Sequence, residues 1–547
     1  MRAIEIGLQL LVERGVRHIF GIPAGSINAL YDTLLDMPEL RPIVAKHETT
    51  AGYMATAYTR ITGTPSVCVG SSGPGATNLI SAAANAWKEK LPVLFITGSV
   101  PSTKLGKGGA QELAADPLFE PITKTSSLAL DAESLPNLLA EALYTATSGV
   151  PGPVHIAIPI NIQMTEIGNP SLPLWIKPRS IELDETALLK AMDLIAAAGP
   201  RGCLLLGHGA KSARSAVVRF AERTGWQVAT TPRGKGVFPE DHPLSLGVYG
   251  LSGNTQAINK LNSNDHELLL VIGSSLGELA TSNWESRLQE SVKLIQVDID
   301  VNEFGKTYIP DVAVRGDALM VLDRLLAGLP WQSSPSPEAA PVRKPLPIEA
   351  DSEEWNTMTA IRQIGACAAP DTRFYIDIGE FMTYSIQNLC ITADQRFDID
   401  INFGAMGSGI GGVIGAKLAD PTRPTVCITG DGCFFMHGFE VLTAKQYGLP
   451  IVFVIINNAR LGMVYHGHML QYKRCLDDFS QPRVDIAAAA ACLGLRTVQV
   501  HSLANLQPHH MREWLSLQEP IIVEVIVDGN EVPPMGERVK FLEGATY

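Results

Sequence analysis

Two apolar runs between residues 424 and 458 leave little freedom in how this chain folds. Pro424-Thr425-Val426-Cys427-Ile428-Thr429 leads into Gly430-Asp431-Gly432, and Ile451-Val452-Phe453-Val454-Ile455-Ile456 leads into Asn457-Asn458. Each is short and uniformly apolar, as expected of a strand buried on both faces in a parallel sheet. Parallel neighbours need a crossover, and Phe439 to Tyr447 fits a helix closed by Gly448 and Pro450. A right-handed crossover brings both strand ends to one sheet edge. Asp431 and Asn458 then face one cleft at the carboxyl ends of the strands, where open α/β sheets bind ligands.

The rest of the chain repeats the alternation. Two Pro-rich stretches, Asn169-Pro170-Ser171-Leu172-Pro173 through Pro178 and Ser333-Ser334-Pro335-Ser336-Pro337 through Pro347, read as linkers. They suggest a first domain at 1–168, a central one at 180–330, a linker at 331–349 and a last domain at 350–547. Strands are expected at Ser66–Gly70, Val93–Thr97 and Val154–Ile158 in the first segment. The middle segment gives Cys203–Leu206, Val228–Thr230, Leu268–Ile272 and Leu294–Val297, and the last adds Phe374–Ile376, Thr425–Thr429, Ile451–Ile456 and Ile521–Ile526. The pattern predicts an α/β protein of three parallel-sheet domains. Sequence identity does not show whether the first and last share a fold.

At 547 residues, 46% of them hydrophobic, the chain holds enough apolar material for several cores. A net charge of −13 argues against nucleic acid or an anionic membrane as partner. No apolar run nears the roughly 18 residues of a membrane span. The N-terminus enters an amphipathic helix on Ile4, Leu8, Leu11 and Val12 rather than a signal peptide. The 8 cysteines show no CxxC spacing, which predicts free thiols and a cytoplasmic location.

A carboxylate and an amide oxygen beside small residues suit Mg²⁺ holding a diphosphate, because Mg²⁺ shares its oxygen shell with phosphate groups. A lone GDG is more often a turn; the pairing with Asn457-Asn458 after a second strand favours the cation. Near the N-terminus, Phe20-Gly21-Ile22-Pro23-Ala24-Gly25-Ser26 is a strand end entering a Gly/Pro turn, where a ligand can approach the backbone. Glu48, in Lys46-His47-Glu48-Thr49-Thr50, heads a helix of small residues; by spacing alone such a carboxylate is more often a dipole-stabilising surface group. Gly70-Ser71-Ser72-Gly73-Pro74-Gly75-Ala76-Thr77-Asn78 is a close-approach loop that opens another helix.

Taken in order, HET, SGPGATN, GDG and NN make the chain resemble the thiamine-diphosphate (ThDP)-dependent acetohydroxyacid synthase and pyruvate oxidase group over nearly its whole length. Gln111-Glu112, Pro121-Ile122-Thr123-Lys124, Gly152-Pro153-Val154, Phe238-Pro239-Glu240-Asp241-His242-Pro243 and Leu461-Gly462-Met463-Val464 follow the same order. The resemblance implies an N-terminal pyrimidine-binding domain, a central Rossmann-like domain and a C-terminal diphosphate-binding domain. It assigns Glu48 to proton handling at the cofactor's aminopyrimidine and Gln111 to the reaction pocket. Pro23, Pro74, Asn78, Gly404, Met406, Gly430, Asp431, Gly432, Cys433, Asn458 and Met463 match cofactor-binding positions. Asp431, Asn458 and the main-chain oxygen of Arg460 match the Mg²⁺ ligands. It further implies a homodimer or homotetramer whose active sites lie at subunit interfaces.

Three departures concern the substrate. Gly467 replaces a tryptophan that narrows the family's acceptor pocket. The family's RFDDR reads Ser275-Leu276-Gly277-Glu278-Leu279, so Leu279 replaces the arginine that grips the acceptor carboxylate, leaving Lys124 as a candidate cation and putting FAD in doubt. The family's GQH reads Gly379-Glu380-Phe381, leaving His466 and His468, or their reading as solvated loop histidines. Gly207-His208-Gly209 and Arg233-Gly234-Lys235-Gly236 are compatible with a nucleotide site or a vestige of one; FAD is not expected. The expected activity is decarboxylation of a 2-oxo acid such as pyruvate, with transfer of the acyl unit to a non-standard carbonyl acceptor. The alternatives are a 2-oxo acid decarboxylase releasing an aldehyde, and a non-catalytic binding module.

Overall fold

Residues that alternate along each strand part to opposite faces, and this divides the apolar side chains among several cores. A computed structural model describes residues 1–168, 172–173, 176–263, 265–329, 347–349 and 354–535. The linker expected at 331–349 lies almost wholly outside the described residues, as does part of the earlier Pro-rich stretch.

Three six-stranded sheets, with every strand pair parallel, follow one another along the chain. The first holds β1 (His18–Gly21), β2 (Arg41–Val44), β3 (Ser66–Gly70), β4 (Val93–Ser99), β5 (Ser126–Leu128) and β6 (Val154–Pro159), in the order β2-β1-β3-β4-β6-β5. The second holds β7 (Gly202–Leu206), β8 (Gln227–Thr230), β9 (Ser245–Val248), β10 (Leu268–Ile272), β11 (Lys293–Asp298) and β12 (Val312–Arg315), ordered β12-β11-β10-β7-β8-β9. The third holds β13 (Arg373–Ile376), β14 (Arg396–Ile399), β15 (Thr425–Gly430), β16 (Val452–Asn457), β17 (Arg496–Val500) and β18 (Ile521–Ile526), ordered β14-β13-β15-β16-β18-β17. Strand for strand, the first and third sheets have the same order. The second has the doubly wound order of a Rossmann domain, with its switch between β7 and β10.

All the strands expected from sequence are present. The crossover after β15 differs from expectation: a helix begins at once with Asp431 and runs to His437, a tight turn follows, and a second helix spans Val441–Gln446. Asp431 is therefore a helix N-terminal residue, which favours its carboxylate.

The first and third sheets share one core. Phe20, Cys68 and Phe95 from one sheet and Cys427, Phe453 and Ile455 from the other line it, while Ile19, Val67 and Leu94 turn to a separate core behind the first sheet. Between the sheets the Glu48–Thr62 helix lies directly on the Ser408–Ala419 helix. A Cβ on Gly411 would stand 2.9 Å from the Thr50 carbonyl oxygen, and one on Gly415 only 2.0 Å from that of Met54.

A buried ionic node ties the three domains together. Arg60 pairs with Glu89 and Asp400 and donates to the Tyr375 hydroxyl at 3.0 Å; Tyr375 in turn donates to Asp400 at 2.8 Å. Arg233 of the central domain also pairs with Glu89.

Candidate active site

The N-terminal half of the site is built around Glu48. It is the first residue of its helix and half-buried, and the His47 ring before it accepts the Thr49 N–H at 3.2 Å. Asn78 Nδ2 donates to Glu48 Oε2 at 2.9 Å, while Thr49 Oγ1 donates to the Asn78 carbonyl at 2.5 Å. A Cβ on Gly75 would stand 3.2 Å from Glu48 Oε1, so glycine lets the carboxylate lie against the loop. A Cβ on Gly73 would stand 2.9 Å from the Gln111 carbonyl oxygen, which places Gln111, from a separate loop, against the turn before Pro74. Gln111 and Pro74 are exposed, as is Pro23 in the turn after β1.

The C-terminal half gathers at the ends of β13, β15 and β16. Asp431 is buried, and its oxygens accept N–H groups from Gly432 and Ala459, each at 2.8 Å. Burial pushes its carboxyl up to about 6 against the pull of those N–H groups. Asn458 Oδ1 accepts the Arg460 N–H at 3.0 Å. Its Nδ2 donates to Glu380 Oε1 at 2.7 Å. Burial, with the nearby Asp431 charge, pushes the Glu380 carboxyl up to about 7 although the Asn458 bond opposes this.

Met406 is half-buried and packs on the core of the third sheet. A Cβ on Gly432 would touch both Met406 and Leu461 at 3.2 Å, so glycine keeps that floor open. Asp377, which sequence reasoning missed, holds the Met406 turn: it accepts N–H from Gly407 at 2.9 Å and Ile378 at 2.8 Å, and the Thr429 hydroxyl at 2.9 Å. Gly404 and Gly407 take φ of 75° and 84° in that turn. Phe381 packs its ring against Gly379 and Gly430, and Cys433 donates its thiol to the Ile378 carbonyl at 3.0 Å.

The chain matches three family signatures in order: the thiamine pyrophosphate enzyme N-terminal TPP binding domain at residues 1–118, the central domain at 188–325 and the C-terminal TPP binding domain at 377–525. It is 32% identical over 543 residues to the acetolactate synthase isozyme 1 large subunit of Escherichia coli, covering 97% of this chain and 95% of that one. The chain belongs to the acetolactate synthase-like thiamine pyrophosphate enzymes. An acetolactate synthase of Mycobacterium bovis is also 32% identical, over 96% of this chain and 88% of its own. An X-ray structure of a thiamin diphosphate-dependent enzyme from Mycobacterium smegmatis superposes with a TM-score of 0.83 at 22% identity, covering 96% and 99% of the two chains, and shows the shared fold.

The residues present fit the cofactor of these thiamine pyrophosphate enzymes. Glycines 430 and 432 flank a buried carboxylate, and Glu380 Oε2 is a buried oxygen without a hydrogen-bond partner among the described residues. Among the described residues no group of three His, Cys, Asp or Glu side chains is placed to hold a metal. A cation at this place would need amide, main-chain and diphosphate oxygens beside the Asp431 carboxylate.

The substrate candidates are less uniform. Gly467 is half-buried, four residues after Met463 and so on the same face of the Gly462–Tyr472 helix. His466 is buried in that helix with Nε2 3.2 Å from the Gly529 carbonyl, and burial lowers its pKa; it is not a solvated loop histidine. His468 Nδ1 lies 2.6 Å from the Arg474 carbonyl, also within the helix segment. Lys124 donates to the Ser148 and Val150 carbonyls at 2.8 and 2.9 Å. Leu279 packs against the core of the third sheet.

A cavity of about 710 Å³ opens at the switch point of the central sheet, lined by His208, Gly209, Arg233, Gly273 and Asp298 among others. Most of its cations are matched by acids: Lys90 bridges to Asp300 and Glu303 at 2.8 and 2.9 Å, Lys306 pairs with Glu303 and Arg233 with Glu89, while Lys88 also lines the cavity. Lys235, beyond the rim, pairs with Glu240 at 2.5 Å. No helix among the described residues is long and apolar enough to cross a membrane.

Proposed function

We propose that this chain is a ThDP- and Mg²⁺-dependent carboligase: it decarboxylates a 2-oxo acid, pyruvate being the donor expected of an acetolactate synthase-like enzyme, and joins the acyl unit to a carbonyl acceptor other than the family's usual one. Bound in this site, the cofactor supplies a carbon nucleophile and an electron sink for the loss of CO₂. Asp431, Asn458 and the Arg460 carbonyl would hold the cation, and Met406 and Met463 would support the apolar part of the cofactor. Glu48 handles a proton: Asn78 fixes Oε2 and leaves Oε1, beside Gly75, to hold it. Gln111, exposed on a neighbouring loop, packs against Gly73 of the same turn.

The observation that carries the acceptor reading is Gly467, a half-buried position without a side chain one helical turn beyond Met463 on its face. The decarboxylase alternative needs a general acid near the reacting carbon, and His466 and His468 each face a backbone carbonyl instead. We also propose that the enzyme works without FAD. The acid-paired Lys90 and Arg233 of the central cavity and Leu279 support this.

The crossover after Asp431 also meets the Glu48 helix within the chain, where Lys46 N–H and the Thr50 hydroxyl donate to Glu440, but Phe435, Met436 and Phe439 on it are 46%, 56% and 67% exposed. That exposed apolar surface supports a homodimer or dimer of dimers in which one subunit's Glu48 meets the other's Asp431. The 8 cysteines are all free, which supports a reducing cytoplasmic compartment. The test is mass spectrometry of products from pyruvate with a panel of aldehydes, ketones and 2-oxo acids, in ThDP and Mg²⁺. A coupled product supports the proposal; free aldehyde alone would establish the decarboxylase, and no saturable cofactor signal would sink both.

A further inference from the structure

Glu380 has no part in the roles above, yet it is built into the cation site. It is 3% exposed and begins the Glu380–Asn388 helix directly after β13. Its two oxygens have unequal surroundings. Oε1 accepts from Asn458 Nδ2 at 2.7 Å, while Oε2 has no hydrogen-bond partner among the described residues, His466 Nε2 standing 3.8 Å away. Oε2 lies over Gly462, where a Cβ would come within 1.7 Å of it. The N-termini of two helices, Glu380–Asn388 and Gly462–Tyr472, thus converge on this carboxyl.

Two consequences follow. The ends of an asparagine amide are nearly the same in shape, but only the oxygen binds a hard cation. Glu380 accepts from the nitrogen end and the Arg460 N–H donates to the oxygen end, so the orientation of Asn458 is set from both sides. Second, Glu380 places another carboxyl beside Asp431, where an anionic diphosphate would arrive. We propose that Glu380 is a positioning residue of the cation site that makes retention of the diphosphate depend more steeply on the cation than a neutral residue there would. This rests on assigning Asp431 and Asn458 to the cation.

The experiment is a ThDP titration of the full chain at about pH 8, followed by calorimetry, in Mg²⁺ and in EDTA, for the wild type, Glu380→Gln and Glu380→Leu. The readout is the ratio of the two dissociation constants, which measures coupling between cation and cofactor. Glutamine keeps an acceptor for Asn458 and removes the charge. The expectation is a wild-type ratio at least about tenfold larger than that of Glu380→Gln, chiefly through tighter binding by the variant in EDTA. Glu380→Leu should weaken binding in Mg²⁺ by about tenfold or more, and Glu380→Gln should not. Equal ratios in wild type and Glu380→Gln would overturn the role of Glu380 while leaving the cation site standing. A wild type that binds no ThDP in Mg²⁺ would overturn both.

Discussion

Asp377 offers a sharp test of how the Met406 turn is held. Its carboxyl is fully buried, and burial raises it from an ordinary 3.8 to about 6 although Ile378, Gly407 and Thr429 all donate to it. A pKa raised in the folded state contributes stability that is complete below 3.8 and is lost as pH rises through about 6. At about 1.4 kcal/mol per pH unit, the loss from this one group is about 3 kcal/mol. Asp377→Asn has no proton to lose. Its amide oxygen can accept the Gly407 and Ile378 N–H groups while its nitrogen donates to the Thr429 hydroxyl, so the contacts survive. The variant should gain about 2 kcal/mol relative to wild type between about pH 4.5 and about pH 7.5, the first part of the loss lying below that window. Guanidinium midpoints of both proteins at the two pH values give the comparison, and protection of the Gly407 amide against hydrogen exchange reports the turn itself. The three domains need not unfold as one transition, so the difference between the proteins is the quantity to read. A wild-type-to-variant difference that stays constant with pH would refute the reasoning.

Other outcomes follow from the same contacts. Glu48→Gln should bind ThDP within a few-fold of wild type but slow exchange of the cofactor's acidic carbon-bound proton by about 10²–10⁴-fold, read by NMR after acid quench; unchanged exchange removes Glu48 from proton handling. Gly467→Trp adds an indole with roughly 200 Å² of surface and should narrow the acceptor range toward small 2-oxo acids. An unaltered product spectrum would show that residue 467 does not line the pocket. Gly415→Ala forces a methyl to within 2.0 Å of the Met54 carbonyl and should destabilise the shared core by about 1–3 kcal/mol, measured as a fall in melting temperature; an unshifted melt would mean the two helices can part freely.

The strands legible in the sequence and those that were not divide cleanly. All the uniformly apolar runs, such as Leu268–Ile272 and Ile521–Ile526, form strands with neighbours on both sides. β2, β5, β9, β12, β14 and β17 escaped notice, and each is the edge of its sheet. Some of these edges are open to water and carry mixed residues, as in Arg496–Val500, where only Val500 is buried, so the pattern fades into that of a loop, whereas Ser245–Val248 is buried throughout but has only four residues, a Ser and a Gly among them. The site divides in a similar way. Asp431 and Asn458 were readable because glycines and strand ends mark them. Glu380 appeared in the sequence only as a missing amide and a missing imidazole, because its meaning lies in a contact 78 residues away along the chain. Asp377 was hidden likewise, its partner Gly407 lying on another loop. His466 looked like a loop residue until the helix enclosed it.

The ionic node at Arg60 has a bearing on how the chain is made. Arg60 and Glu89 emerge early in synthesis, Arg233 later, and Tyr375 and Asp400 only when most of the polypeptide is out. Until then the guanidinium lacks partners it needs inside the protein, and an incompletely paired buried charge costs several kcal/mol. The first domain therefore cannot settle its inner face against the third on its own schedule. Its completion waits on residue 400, and a nascent chain released before that point holds a charged seam that water, rather than protein, must cover.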